Sequence, residues 1–210
     1  MNMPKKNHED IQKQQALLNG LLQECLKYSF KEALEEWDQN ASLEQHNVVT
    51  LAKSSFTSTG LITLSSYDFK MVMVLYFDMT KPLREFVVNI NHDKAENIFN
   101  DSIINDYVME MCNGLGGRLK RYLQATSYAF GMSTPNLVAR NQFILSDIAE
   151  FDFNSHIKCD VTSSQASEPL HFGLSLFSMV NNIQRFEDRF KEVNFNRLQD
   201  DNAVGALEMF

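Results

Sequence analysis

The stretch Asp106-Tyr-Val-Met-Glu110-Met-Cys-Asn113-Gly-Leu-Gly-Gly117 carries two patterns at once. With Asp106 as the zero direction of a helical wheel, Glu110 points to about 40°, Asn113 to about −20° and Gly117 to about 20°. Two acids, an amide and a glycine therefore share one narrow face. Ile104, Val108, Met111, Leu115, Leu119 and Tyr122 cluster within about 40° of the opposite direction. The spacing predicts an amphipathic helix over about 103–131, its apolar stripe in a core and the polar group outside. Gly114, Gly116 and Gly117 should each cost on the order of 1 kcal/mol relative to Ala in such a helix. A helix that keeps all three needs close backbone approach, by a packed neighbour or by a docking partner.

Before this helix, Leu18, Leu22, Cys25, Leu26, Phe30, Ala33, Leu34 and Trp37 recur at three- and four-residue steps, so about 9–37 reads as a first long helix. Over 47–91 the period changes. Val48 to Leu51, Leu61 to Tyr67 and Phe69 to Phe77 read as strands; the last is a short, nearly continuous apolar run that suits a central position. Phe86-Val-Val-Asn-Ile is either a further strand or the entry to the next helix, and a short helix is expected near 94–99. After the long helix, Ser133-Thr-Pro135 forces the backbone out of helical geometry. Strands are expected over about 148–161 and 170–180, with Ser163-Ser-Gln-Ala-Ser as the turn between them. Ile183, Phe186, Phe190 and Val193 are spaced for a C-terminal amphipathic helix over 182–198, followed by a tail over 199–210. The order reads as one α+β domain over 1–198, with its core at about 11–180 and a mostly antiparallel sheet packed on two long helices.

Composition narrows the function. Hydrophobic residues make up 44% of the 210, enough for a core without disulfides. A net charge of −8 disfavours phosphate backbones and anionic lipid, so neither nucleic acid nor membrane is expected as a partner. Cys25, Cys112 and Cys159 are odd in number and far apart, as suits a reducing compartment. No apolar run approaches the roughly 18 residues of a membrane helix, and the N-terminus lacks the apolar stretch of a signal peptide. The expected location is the cytoplasm.

The wheel alone does not separate a functional face from a solvated one. The pattern Asp106-xxx-Glu110-xx-Asn113-xxx-Gly117, however, resembles the signature of the CheC/CheX/FliY chemotaxis phosphatases: an acidic or Ser residue, then ExxN, then a small or helix-breaking residue. The surroundings agree from about 11 to 180: a leading helix, strands, the motif helix, a Pro-containing turn and two closing strands. The C-terminal helix, the tail and the long stretch between the strands fall outside the resemblance. The other ExxN, Glu44-Gln-His-Asn47, lacks an acid or Ser four residues earlier and lies between expected elements. One site makes the chain CheX-like.

The resemblance implies an activity: removal of the phosphoryl group from the aspartyl-phosphate of a CheY-type response regulator. It implies that Asn113 orients the attacking water and that Glu110 pairs with the regulator's lysine. Asp106, Gly114 and Gly117 would belong to the docking surface. It implies no cofactor on this chain, since Mg²⁺ would sit on the regulator, and it implies a homodimer. The alternative is a non-catalytic signalling domain that binds a regulator or another protein through the same helix.

Other motifs are weaker. Gly114-Leu-Gly-Gly-Arg118-Leu-Lys120 resembles a phosphate loop superficially, but no GxxxxGK[ST] exists and the glycines lie in a helical pattern. His8, His46, His92, His156 and His171 show no metal-ligand spacing, so no metal site is expected. Gly173-Leu-Ser175-Leu-Phe177 lacks the second glycine of a nucleophile elbow.

Overall fold

A computed structural model describes residues 8–51, 54–92, 95–124, 129–139 and 151–181. Helix α1 spans His8–Trp37, and strands β1 (Ser42–Val48), β2 (Ser58–Ser65) and β3 (Phe69–Phe77) follow. Helix α2 (Lys81–Ile90) and a 3-10 turn (Ala95–Phe99) lead into helix α3 (Asp101–Gln124). Strands β4 (Gly131–Met132), β5 (Asn136–Ala139), β6 (Phe153–Thr162) and β7 (Leu170–Val180) complete the described chain. The strands form one sheet in the order β1-β6-β7-β3-β2-β4, with β5 also paired to β2. Every pairing is antiparallel.

Alternation fixes which face is dry. Phe69, Met71, Met73, Leu75 and Phe77 of β3 all point to one side, as do Phe153, Ile157, Cys159 and Val161 of β6. That side meets α1, which contributes Leu18, Leu22, Cys25, Leu26 and Phe30, and α3, which contributes the stripe Ile104, Val108, Leu115 and Leu119. The register Ile62↔Met73 and Met73↔Leu176 carries this core across the three central strands. Against β6, α1 is tied by Ser155 Oγ donating to the Asn19 carbonyl at 3.2 Å. The two long helices run antiparallel. Tyr122 of α3 donates its hydroxyl to the Glu32 carboxylate of α1, and one turn earlier in α3 Arg118 pairs with Glu36, one turn later in α1.

The β3 and β7 bounds, the first long helix, the course of the second up to Gln124 and the antiparallel sheet agree with expectation. Five features differ. β2 is Ser58–Ser65, three residues earlier than the expected start at Leu61, because Ser58-Thr-Gly60 pairs with both β3 and β5. The first strand is Ser42–Val48, whereas the β-branched run at 48–51 suggested a later start. Consequently Glu44 and Asn47 lie on β1 and not between elements. Phe86-Val-Val-Asn-Ile belongs to α2, whose Leu83, Phe86, Val87 and Val88 form one buried face after a Pro in the first turn. The last closing strand but one starts at Phe153, and the part of its expected span at 148–150 lies outside the described residues. Helix α3 stops short of the expected 131: it is described to Gln124, 125–128 lie outside, 129–130 are not helical, and Gly131–Met132 pair with β2 as a strand. The expected C-terminal helix and tail, 182–210, also lie outside the described residues. No helix among the described residues is long and apolar enough to cross a membrane.

Candidate functional site

Helix α3 starts where its sequence provides a cap. Asn100 Oδ1 accepts from the backbone N–H groups of Ser102 and Ile103, and its carbonyl accepts from Ile104 at 3.1 Å. From this start the buried side is fixed by Ile104, Val108, Met111, Cys112, Leu115, Leu119, Tyr122 and Leu123. The opposite side then follows from 3.6 residues per turn. Asp106 and Glu110 are exposed, and Asn113, Gly114 and Gly117 are half-buried. The quartet expected from the wheel does lie along one outward stripe.

Among the described residues, no partner takes up the polar side chains of that stripe. The side chains of Asp106, Glu110 and Asn113 have no hydrogen-bond or ion-pair partner among the described residues. A carboxamide with free N–H and C=O groups can accept from a water and donate elsewhere at the same time. A free carboxylate one turn away can take a cation or a hydrogen-bond donor from another molecule. Beside them, a Cβ built on Gly117 would meet nothing within 4 Å. No neighbour among the described residues explains this glycine.

The other two glycines have internal reasons. Gly116 is buried against β2, where a Cβ would meet Ile62 at 2.8 Å. At Gly114 a Cβ would stand 3.2 Å from Nη1 of Arg118, whose guanidinium lies over that turn. Arg118 Nη1 donates to the Gly114 carbonyl at 3.0 Å. Sequence reasoning missed Arg118, treating it as part of a phosphate-loop lookalike. Its spacing of four from Gly114, on the flank of the stripe, was the available signal.

At the far edge of β2, β4 and β5 bracket the turn that holds Pro135. Ser133 continues the ladder there: its N–H donates to the Thr63 carbonyl at 2.9 Å, and its Oγ accepts from Thr63 N–H at 3.0 Å. Elsewhere, His156 and His171 sit on β6 and β7. His156 Nδ1 lies 2.6 Å from Ser175 Oγ, and His171 Nδ1 lies 2.6 Å from Asp160 Oδ1. No group of three or more His, Cys, Asp or Glu among the described residues is placed to hold a metal ion. The three cysteines are free and buried.

No protein-family model matches the chain, and no curated protein matches it. Solved structures do. A chemotactic CheC-like protein from Shewanella oneidensis superposes with a TM-score of 0.55 at 16% identity, covering 77% of this chain and 99% of that one. The chemotaxis protein CheX from Vibrio vulnificus gives 0.54 at 18% identity, covering 74% and 97%. The protein has the CheC/CheX fold. A chain of the CheX–CheY–BeF3–Mg²⁺ complex from Borrelia burgdorferi shares it too, with a TM-score of 0.51 at 12% identity over 74% and 96% of the two chains. In this CheX-like fold the two long helices lie together on the sheet, and α3 carries the Asp106–Gly117 stripe on its outer side.

Proposed function

We propose that the protein is a CheX-like phosphatase that removes the phosphoryl group from the aspartyl-phosphate of a CheY-type response regulator. One observation carries the reading. The side chains of Asp106, Glu110 and Asn113 stand on a single outward stripe with no partner among the described residues, next to a glycine with open space above it.

Little covalent chemistry is asked of such an enzyme, because the phosphoryl group and its Mg²⁺ belong to the regulator. Positioning is the task. The Asn113 carboxamide accepts from the attacking water and holds it in line with the phosphorus. Glu110 pairs with a lysine beside the regulator's phosphoryl group and sets the register of docking. Asp106 extends the acidic surface one turn further, Gly117 keeps the helix low enough for the partner to approach, and Gly114 borders the same surface with Arg118 in the space beside it. A homodimer is part of the same reading, and β1, an edge strand of the described sheet, offers backbone groups that a second copy would satisfy. The cytoplasm, where response regulators work, is the matching location.

The test is direct. Candidate regulators are phosphorylated with a small phosphodonor, and decay is followed alone, with the protein, and with Asn113→Ala or Glu110→Ala. Accelerated decay that disappears in Asn113→Ala supports the phosphatase. Binding without acceleration identifies the non-catalytic signalling domain instead. Absence of both with every regulator of the same cell rejects the two readings together.

A further inference from the structure

Asn113 is followed by the glycine-rich turn of its helix. Three glycines in four residues remove side-chain packing and raise backbone freedom where a water-positioning group needs rigidity. Arg118 spans this turn. It is the one Lys or Arg that is buried among the described residues, at 8% exposure. Its Nη1 donates to the Gly114 carbonyl at 3.0 Å, on the residue next to Asn113. Its Nη2 pairs with Glu36 in the last turn of α1. The end of α1 is in turn fixed to the sheet: buried Asp38 accepts from Ser163 Oγ at 2.6 Å, in the turn between β6 and β7. A chain of polar contacts thus runs from the sheet through α1 to the carbonyl beside Asn113. The missing Cβ of Gly114 leaves the guanidinium the space it occupies.

We infer that Arg118 is a positioning residue, clamping the glycine-rich turn between Gly114 and Glu36 so that the Asn113 carboxamide is held ready for the phosphoryl group. The inference rests on the phosphatase reading above. A fork-shaped guanidinium suits the job, since it bonds a carbonyl and a carboxylate together where an ammonium holds one firmly. Because Arg118 acts through the backbone of the next turn and not on the partner, it governs turnover more than docking.

The experiment measures dephosphorylation of a phosphorylated regulator by the wild type, Arg118→Met, Arg118→Lys and Glu36→Gln. In parallel, hydrogen exchange is followed at the amides of 114–118. Arg118→Met is expected to lower kcat at least tenfold while KM moves less than threefold, and to speed exchange at these amides more than elsewhere in α3. Arg118→Lys is expected to recover part of kcat. Glu36 is largely exposed, so Glu36→Gln keeps the fold and decides the matter should Arg118→Met not fold; it is expected to lower kcat about threefold. An unchanged kcat in the folded variants, or a loss confined to KM, overturns the inference. If the wild type accelerates no regulator, the phosphatase reading fails on its own. The exchange rates then judge the clamp separately, and unaltered exchange at 114–118 refutes it.

Discussion

Ile62 lies directly beneath Gly116: a Cβ on that glycine would stand 2.8 Å from Ile62 Cδ1 and 3.2 Å from its Cγ2. One residue later the situation reverses, and Gly117 faces open space. The two glycines should therefore answer opposite ways to the same substitution. Gly117→Ala gains helix propensity with nothing to collide with, so it is expected to stabilise the fold by up to about 1 kcal/mol. Gly116→Ala gains the same propensity but forces a methyl onto a packed β-branched side chain. Overpacking of this kind costs about 1–3 kcal/mol, so a net loss is expected. Denaturant titration of the two variants measures both signs. If Gly117 serves partner clearance, Gly117→Leu weakens regulator binding while remaining folded.

The Asn113 carboxamide gives a second prediction, based on charge. Asn113→Asp preserves shape but replaces a neutral donor–acceptor by an anion facing a phosphoryl group. Removing one positioned polar group of this kind costs on the order of 100-fold in kcat, and the added repulsion works in the same direction. Asn113→Asp should therefore be no more active than Asn113→Ala in the phosphoryl-decay assay. Both should keep the wild-type unfolding free energy within about 1 kcal/mol, since the half-buried side chain makes no hydrogen bond to a described residue.

Much of this was legible beforehand, for physical reasons. The α3 stripe and β3 are decided by strong periodicity and burial, and sequence reading finds such segments readily. β1 was placed too late because Ser42-Leu-Glu-Gln-His-Asn-Val is a polar edge strand with little inward-facing apolar signal. The β-branched run in α2 imitates a strand; packing of Phe86, Val87 and Val88 overrides that local preference. β4 and β5, two and four residues long, are too short for any period to show. At the site, a wheel places Asn113 and Glu110 on one face. It sets Gly117 on that face and Gly116 about 100° away on the flank, but it cannot show that Gly116 packs on Ile62, because that depends on which β2 residue lies below. Arg118 was hidden for the same reason: its partner Glu36 is 82 residues away.

The thiols predict an alkaline limit. Burial raises Cys112 and Cys159 from an ordinary 9.0 to about 12, and it raises Cys25 as well. An acid whose folded pKa is raised binds its proton more tightly in the native state. Its stabilisation is complete below the unfolded value and is lost as pH climbs from about 9 towards 12. Each such thiol then removes about 1.4 kcal/mol per pH unit. The unfolding temperature should fall steeply above pH 9. A thiol reagent should label no cysteine in the native protein at pH 8 and all three in denaturant.

His156 sets the opposite edge. Burial lowers its pKa from the ordinary 6.5, and Ser175 Oγ, 2.6 Å from Nδ1, is a neutral partner. The unfolded chain therefore binds a proton that the native one resists, so this contribution to stability is lost as pH falls below about 6.5. Between pH 6.5 and 5 the slope of stability against pH should flatten in His156→Asn relative to wild type. An unchanged slope assigns the acid sensitivity to carboxylates instead.

Tyr122 distinguishes holding the helices together from holding the site. Its hydroxyl donates to Glu32 across the α1–α3 seam, and Arg121 lies 3.7 Å from the other carboxylate oxygen. Tyr122→Phe keeps the buried ring and removes one hydrogen bond to a charged group, at an expected cost of about 1.5–3 kcal/mol in unfolding free energy. Glu32 keeps Arg121 nearby and is partly open to water, which places the loss at the lower end of that range. The bond joins the same two helices as Arg118–Glu36, but it touches no backbone group of the turn after Asn113. Dephosphorylation by Tyr122→Phe should therefore stay within about twofold of wild type at a temperature where both are folded, whereas Arg118→Met loses turnover. If Tyr122→Phe loses kcat to the same extent, general loosening of the helix pair accounts for both variants, and the specific clamp at Gly114 is no longer needed.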